Sequence, residues 1–131
     1  DRLVLKSLKV VCGTEGPQSA DMILLIDGKE VSTTATGDGP VDAAFNAIKM
    51  LHGHKARLQL YQVHAVTEGT DAQATVSVRM EEAGNITTGE SADTDTVVAS
   101  VKAYINALNR LIMRQDQIGQ DKKAISYKDV S

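Results

Sequence analysis

The sequence of 131 residues lacks most of the features that mark nucleic-acid-binding or disulfide-stabilised proteins. It has no Trp and only 3% aromatic residues, so stacking platforms for single-stranded nucleic acid are scarce. Its formal net charge of -3 argues against a protein that binds phosphate backbones, because such proteins are usually basic. Cys12 is the only cysteine, which excludes an internal disulfide and fits a reducing cytoplasm.

Long apolar runs are missing as well. No segment approaches the roughly 18 consecutive apolar residues of a membrane span, and no signal peptide opens the chain. The composition, 42% hydrophobic and 24% charged, is that of an ordinary globular domain, and the length suits a single one. The chain begins at Asp1 rather than at a Met, so we expect it to be part of a longer protein. We expect small molecules or other copies of the chain as partners, and neither nucleic acid nor a membrane.

The first half of the sequence predicts three strands and a helix. Residues 3–12 alternate as a strand, and residues 22–26 and 29–34 flank Asp27-Gly28, a dipeptide typical of tight hairpins because both positions need positive φ. A glycine-rich break leads to Pro40, which suits the first position of a helix, and Gly53 is expected to end that helix. The apolar positions at helical spacing are Val41, Ala44, Phe45, Ile48 and Leu51.

The second half predicts the same order of elements. Strands are expected over residues 57–66 and 74–80, followed by a short strand that ends at Thr88. A break over residues 89–95 then precedes a longer helix, whose pattern dissolves after about Asp116. The apolar positions of this helix cover more than a narrow stripe, which favours burial in a dimer.

The charges of the second helix fit its dipole. Asp93 and Asp95 fall at its positive N-terminal end, and Arg110 and Arg114 are expected near its negative end. The segment 117–131 is rich in Gln, Gly and Lys and is interpreted as a flexible C-terminal tail.

The two halves indicate an internal duplication. Thr36-Gly37 falls on Thr88-Gly89, and Asp21 falls on Asp71, at nearly constant spacing. The sequence therefore predicts an α+β domain over residues 1–116, built from two βββα units at about 3–53 and 56–116. We expect pseudo-two-fold symmetry, two small antiparallel sheets packed with two helices, and a dimer that covers any face left apolar.

The segment from Thr36 to Asp42 is the best candidate for recognition. Its glycines let the backbone approach a ligand closely, and free N–H groups at a helix start favour a carboxylate or a phosphate. The alternative is a tight strand-to-helix turn that binds nothing, which is the commoner use of such segments, and the spacing is not that of a nucleotide loop.

The histidines are weak candidates for a metal site. His52 and His54 lie at a helix end, His64 lies elsewhere, and no Cys or convergent carboxylate stands at ligand spacing. A histidine in the last helical turn is also favoured by the dipole alone. We therefore expect no metal site.

Other reactive side chains have simpler structural interpretations. Cys12 continues the apolar alternation of its strand, which predicts a buried structural thiol rather than a nucleophile. Asp71, Asp93 and Asp95 could pair as acid and base, but helix caps and turns account for them better. Tyr61, in mid-strand, suits either the core or the wall of an apolar pocket.

Three runs of the sequence carry a family resemblance. Residues 35–45, 61–72 and 92–109 resemble, in this order, the regulatory domain that follows the catalytic barrel of 2-isopropylmalate synthases. The resemblance covers about Leu5 to Ile112. It implies a non-catalytic, cytoplasmic module that forms homodimers, binds L-leucine near the dimer interface and slows a distant active site. The parent enzyme would condense acetyl-CoA with 2-oxoisovalerate in a (β/α)₈ barrel of the same chain, where its divalent metal would also lie, and this domain would hold no cofactor.

The resemblance also implies an effector site. The residues that match the family's ligand loop are Gly37, Asp38, Gly39, Val41 and Asp42. Those that match its apolar pocket are Tyr61, Ala65 and Ala72. The carboxylate of leucine would accept N–H bonds at the start of the first helix, its ammonium would face Asp38, and its isobutyl group would lie against Val41, Tyr61 and Ala65.

Three alternatives stay open at this point. A regulatory domain of a citramalate synthase would respond to isoleucine, although residues 37–45 resemble the leucine branch more closely. A dimerisation module without a ligand would need none of the loop chemistry. An RNA-binding α/β domain would share the βββα units, but the acidic charge and the lack of a basic helix face oppose it.

Overall fold

The structure, a computed structural model, describes residues 2–66 and 72–129, and of residues 65, 66 and 121–129 it describes the backbone alone. The first unit consists of strands β1 (Leu3–Val11), β2 (Gln18–Ile26) and β3 (Lys29–Gly37) and helix α1 (Pro40–Leu51). The second consists of β4 (Arg57–Val66), β5 (Ala74–Glu82), β6 (Asn85–Asp93) and α2 (Thr96–Asp129).

Each unit forms its own antiparallel sheet, in the orders β1-β2-β3 and β4-β5-β6. Helix α1 packs on β2 and β3, helix α2 packs on β5 and β6, and the two helices contact each other. The predicted α+β fold of two βββα units is therefore confirmed. Among the described residues, no helix is both long enough and apolar enough to cross a membrane.

The two hairpin turns show which positions of the two units correspond. Asp27 and Gly28 have φ of 51° and 81°, as predicted for this dipeptide, and Ala83 and Gly84 adopt the same conformation with φ of 51° and 84°. The step along the chain from Asp27 to Ala83 equals the step from Pro40, where α1 begins, to Thr96, where α2 begins. Turns and helix starts therefore repeat with one constant offset.

This constant offset corrects the predicted pairing of the two halves. Gly37 corresponds in position to Asp93 rather than to Gly89, and Asp21 corresponds to Ser77 rather than to Asp71. The two Thr-Gly pairs had matched by residue type, although Gly37 ends β3 and Gly89 lies in mid-strand.

The core lies between the helices and the faces of the sheets that they cover. In β5 the predicted alternation is confirmed on the helix side, because Val76, Val78 and Met80 are fully buried, while on the other side Arg79 is exposed but Ser77 is buried as well. Large side chains from both units complete the core, and burial of each contributes about 1.5–3 kcal/mol. The fully buried ones include Leu3, Met22, Leu24, Ile48, Tyr104, Leu108 and Leu111.

A buried asparagine joins the two units. Asn109 of α2 accepts a hydrogen bond from the Leu3 N–H at 2.9 Å and donates one to the Leu3 carbonyl at 2.8 Å. The backbone at the start of β1 is thereby satisfied by a side chain of the other unit. This contact holds the edge strand of the first sheet against α2.

Strand β6 is longer than the sequence predicts. It continues from Asn85 to Asp93, so most of the predicted break is strand. The reason lies at Gly89, where a Cβ atom would lie 2.2 Å from the Ala103 carbonyl oxygen and 2.4 Å from the Ala107 nitrogen. Gly89 allows α2 to approach the sheet closely and does not break the strand.

Helix α2 also extends beyond its predicted end, to Asp129. Arg110 and Arg114 therefore lie within the helix, and they donate to the carbonyls of Thr88 and Ile86 at 2.6 and 2.5 Å instead of capping a C-terminus. The segment after residue 116 has no Pro and is rich in Gln and Lys, which favour helices. The domain boundary at residue 116 and the flexibility of residues 117–131 stay predictions.

Two smaller predictions need correction. Most of the broad apolar surface of α2 is buried within the single chain, since the helix contacts β1 and α1 as well as its own sheet, so its apolar pattern does not by itself indicate a dimer. Helix α1 ends at Leu51, where the N–H of the extended residue His52 donates to the Ile48 carbonyl at 2.8 Å. Gly53 adopts no positive φ and is not the cap.

Candidate functional site

The start of α1 has no side-chain cap. Gly39 is the N-cap residue, with an extended backbone (φ -154°, ψ 174°), and has no side chain to bond the helix. Pro40 lacks an N–H, and the Ala43 N–H already donates to the Gly39 carbonyl at 2.9 Å. The N–H groups of Val41 and Asp42 therefore point out of the first turn without an intrahelical partner.

The loop before α1 is held by side chains of the helix itself. Asp42 accepts a hydrogen bond from the Asp38 N–H at 2.9 Å, so its carboxylate stabilises the turn. Asn46 donates to the Thr36 carbonyl at 2.9 Å. At Gly37 an added Cβ would lie 2.5 Å from the Ala43 nitrogen and 2.6 Å from Asp42 Oδ2, which requires glycine at this close approach.

A shallow surface cavity of about 530 Å³, wide open to solvent, lies beside this loop. It is lined by residues 12–14, Gln18 and residues 38–40. Gln18 donates to the Gly13 carbonyl at 2.9 Å and so fixes the opposite wall. Among the residues predicted for the site, Asp38 and Gly39 thus face a space large enough for a small organic ligand.

The prediction for Cys12 is wrong. The strand ends at Val11, and Cys12 is exposed at the wall of this cavity instead of being buried. The apolar alternation of β1 ends before it reaches Cys12. The residues that line the cavity include no histidine that could deprotonate the thiol. Their arrangement therefore does not indicate that Cys12 is a nucleophile.

Tyr61 lies between the two helices. Ser100 donates its proton to the Thr96 carbonyl at 2.7 Å, so the Tyr61 hydroxyl is the donor in the 2.7 Å bond that joins it to Ser100 Oγ. The Tyr61 ring lies 5.9 Å from that of Phe45, between centroids. Tyr61 therefore packs on α1 about one turn beyond Val41, on the same face of the helix.

The remaining predicted pocket residues are described only in part. Ala65 belongs to β4, and its side chain lies outside the described part of the chain. Ala72 is half-buried just before β5. Between them residues 67–71, with Asp71, lie outside the described residues. The structure thus brings the loop and Tyr61 to one helix and leaves the contribution of Ala65 as a prediction.

The start of α2 contrasts with that of α1. Asp95 accepts hydrogen bonds from the N–H groups of Val97 and Val98 at 2.8 and 3.3 Å, which confirms its predicted role as a cap. Asp93 accepts from the Asp95 N–H at 3.0 Å and pairs with Lys102 at 3.2 Å. The hydrogen bond from the Asp95 N–H, and to a smaller extent the contact with Lys102, hold the pKa of Asp93 below its usual value.

Two of the histidines take part in structural hydrogen bonds. His54 Nε2 lies 2.9 Å from the Tyr104 hydroxyl, and His64 Nε2 lies 2.7 Å from Ser77 Oγ. Burial, followed by the charges of Lys49 and His52, lowers the pKa of His54. Among the side chains that the structure describes, no three His, Cys, Asp or Glu residues come together as metal ligands.

Strand β4 leaves apolar surface uncovered. Leu58 and Val63 pair with the buried residues Met80 and Val76 of β5, so they point to the helix side of the sheet. They are nevertheless 44% and 46% exposed. Among the described residues the helices pack on the other strands and on Tyr61, so Leu58 and Val63, which lie before and after Tyr61, are left open in the single chain.

Comparisons with known proteins agree with the predicted family. A family model described as the LeuA allosteric (dimerisation) domain matches residues 1–112. The chain is 58% identical over 117 residues to a 2-isopropylmalate synthase of Caulobacter sp. (strain K31), a stretch that covers 89% of the chain and 22% of that relative. It is 56% identical over 125 residues to a 2-isopropylmalate synthase of Bradyrhizobium sp. (strain BTAi1 / ATCC BAA-1182), covering 95% of the chain and 24% of the relative. The chain therefore spans between a fifth and a quarter of the length of these curated relatives.

Proposed function

The chain belongs to the LeuA allosteric (dimerisation) domain family, and from that membership we propose that it is the leucine-binding regulatory domain of a 2-isopropylmalate synthase. In this role it dimerises in the cytoplasm, binds L-leucine and lowers the activity of a catalytic barrel in the same protein. The transferase chemistry belongs to that barrel, which needs about 250 residues. The barrel would hold the metal, and this domain has no catalytic residue or cofactor of its own.

The open start of α1 is the observation that carries the proposal. The N–H groups of Val41 and Asp42, which have no intrahelical partner and lie at the positive end of the helix, suit the carboxylate of an amino acid. Gly39 keeps the approach to these groups free of side-chain atoms, and the cavity beside it has room for the ligand. At α2 the corresponding groups are occupied by Asp95.

Residues on and beside α1 are the candidates for the other groups of leucine. Asp38 lines the cavity and is the candidate for the ammonium group. Val41 and Tyr61, on one side of α1, offer apolar surface to the isobutyl group. Selection between leucine and isoleucine by such a pocket would rest on shape, where a methylene contributes only about 1–3 kcal/mol.

A second copy of the chain is the proposed partner at β4. The uncovered apolar side of that strand, with Leu58 and Val63, lies next to Tyr61 along the same strand. A subunit packed there would cover the exposed side chains and close the pocket at the interface.

Isothermal titration calorimetry with leucine, isoleucine and valine tests the proposal. We expect saturable binding of leucine and weaker binding of the other two. In the variant Gly39→Ala the added methyl group meets no atom within 4 Å, so it leaves the fold intact but stands before the open N–H groups. We expect its leucine affinity to fall at least about tenfold, which corresponds to about 1.4 kcal/mol.

Gly53→Ala is the matched control, because its Cβ also meets nothing within 4 Å and lies at the other end of α1. Tightest binding of isoleucine would favour a citramalate synthase domain. If the folded, dimeric protein bound none of the three amino acids at millimolar concentration, it would be a dimerisation module without a ligand.

A further inference from the structure

Strand β4 contains a bulge three residues after Tyr61, one of the residues proposed for the effector site. Val63 pairs with Val76 and Ala65 pairs with Thr75, so His64 is an extra residue without an opposite partner on β5. An extra residue in one strand shifts all following residues by one position and exchanges the faces on which they lie. The place of this bulge therefore determines on which face of the sheet the residues at the end of β4 lie.

A chain of hydrogen bonds joins this bulge to the rest of the sheet. His64 Nε2 lies 2.7 Å from Ser77 Oγ on β5, and Ser77 Oγ donates to Glu90 Oε1 on β6 at 3.0 Å. A serine hydroxyl has one proton, which here goes to Glu90, so His64 must donate through Nε2. Side chains of all three strands thus fix the position of His64.

The chain of hydrogen bonds lies on the side of the sheet that faces away from the helices, yet Ser77 is only 5% exposed. Gln62 and Glu90 stand opposite Ser77 on the neighbouring strands. Loss of the Ser77 hydroxyl would leave both His64 and Glu90 without this partner. The loss matters because a hydrogen bond to a charged group is stronger than one between neutral groups.

The first sheet provides a natural comparison at the same positions. By the constant offset between the units, Asp21 and Thr34 correspond to Ser77 and Glu90, and Thr34 donates to Asp21 at 2.6 Å. The acid and the hydroxyl have exchanged strands. The residue opposite Asp21 on β1 is Lys9, in continuous pairing, whereas Gln62 stands opposite Ser77 and the bulge at His64 follows two residues later on β4.

We propose that His64, Ser77 and Glu90 are positioning residues of the effector site, which hold the bulge in β4 and thereby place the strand end with Ala65 at the pocket. This inference rests on the proposed function for its ligand. The three residues act through the backbone of β4 and do not contact the ligand themselves. Residues on the side of the second sheet that faces away from the helices thus influence how the effector binds.

Three variants of the 131-residue protein test this role by calorimetry with leucine. Ser77→Ala breaks the chain of hydrogen bonds, and we expect the leucine affinity to fall about tenfold. Ser77→Thr keeps the hydroxyl and should stay within about twofold of the unmodified protein. Thr34→Val removes the equivalent hydroxyl of the first sheet and should also stay within about twofold. Equal affinities for Ser77→Ala and Ser77→Thr would overturn the proposal.

A readout without ligand separates this proposal from the proposed function. Nitrogen-15 NMR of the imidazole should show the proton on Nε2 of His64, and Ser77→Ala should speed amide exchange in β4 around Val63 more than in β1. A proton on Nδ1 alone, or unchanged exchange in β4, would overturn the positioning role. Absence of leucine binding by the unmodified protein would instead contradict the proposed function, while these measurements still decide whether the hydrogen bonds hold the bulge.

Discussion

The two βββα units share one framework but differ at the point where each helix begins. Helix α2 is capped by the side chain of Asp95, whereas α1 begins at Gly39, which has no side chain to offer. The same backbone geometry therefore gives one closed and one open helix start. A duplicated fold can keep its packing in both copies while only one of them retains groups available for a ligand.

The edge strands of the two units differ as well. Asn109 forms hydrogen bonds with both the N–H and the carbonyl of Leu3, the first residue of β1, and β1 contacts both helices. In the described residues the backbone of β4 adjoins β5 alone, and Tyr61 links the strand to the helices. The less firmly held strand is the one that carries the predicted pocket residues, which suits an element that responds to a ligand.

Gly89→Ala should have the largest effect, because it breaks the packing of the second unit. The added Cβ would meet backbone atoms of α2 at 2.2 and 2.4 Å, and backbone cannot give way as a flexible side chain can. We expect the free energy of unfolding to fall by about 3 kcal/mol or more, measured by urea denaturation. A loss as small as that of Gly53→Ala would contradict the close approach.

Asn109→Ala tests the contact that joins the two units. It leaves the N–H and carbonyl of Leu3 buried without their partner, so we expect a loss of about 2–4 kcal/mol. Asn106→Ala, one turn earlier on α2, removes only an exposed bond to the Glu90 carbonyl and should cost less than about 1 kcal/mol. Similar losses of unfolding free energy in the two variants would show that burial does not make the hydrogen bonds of Asn109 more stabilising than the exposed one of Asn106.

Asp95→Ala would make the start of α2 resemble that of α1. Loss of the cap should lower the unfolding free energy by about 1 kcal/mol. Leucine binding should change little, since α2 is not the proposed carboxylate site. Asp38→Ala, in the matching loop of the first unit, serves as the comparison, because it should weaken leucine binding without a comparable loss of stability.

Gly39→Ser makes the start of α1 resemble that of α2, which is the reverse of the change in Asp95→Ala. The extended backbone at Gly39 suits a capping serine, so stability should rise by a few tenths of a kcal/mol. The hydroxyl would also occupy the N–H groups proposed for leucine, and we expect weaker binding by calorimetry. A serine variant that is more stable and binds leucine normally would argue against this carboxylate site.

The smallest effect concerns pH. Burial holds the pKa of His54 below its ordinary value of 6.5, so the unfolded chain takes up a proton more readily than the folded one. Stability is therefore retained above about pH 6.5 and declines as the pH falls below it. Thermal unfolding between about pH 7.5 and 5 should show this decline, and His54→Gln should reduce it.

Much of the fold was predictable because the relevant signals are local. The Asp27-Gly28 turn, the apolar alternation of β5 and the helix that starts at Pro40 all depend on residues close together in the chain. The loop at residues 37–42 was identified in the same way, from glycines that precede a helix. The structure adds the cavity beside this loop and shows that the Asp42 carboxylate is bonded to the Asp38 N–H.

Other features depended on partners distant in sequence. Gly89 resembled a break because nothing nearby reveals that Ala103 and Ala107 of α2 pack against it. Cys12 followed an apolar pattern that stops one residue earlier. The hydrogen-bonded series His64–Ser77–Glu90 was missed because its members lie 13 residues apart in sequence on three strands and meet only through the pairing of the sheet.

The sequence by itself determined the duplicated order of strands and helices, the hairpin turns and the glycine loop before α1, because each follows from conformational preferences within a few residues. Only the tertiary structure decided how close α2 lies to its sheet and which strand is left uncovered. These properties depend on contacts between residues far apart in the chain. The local sequence limits such contacts, but only packing selects among them.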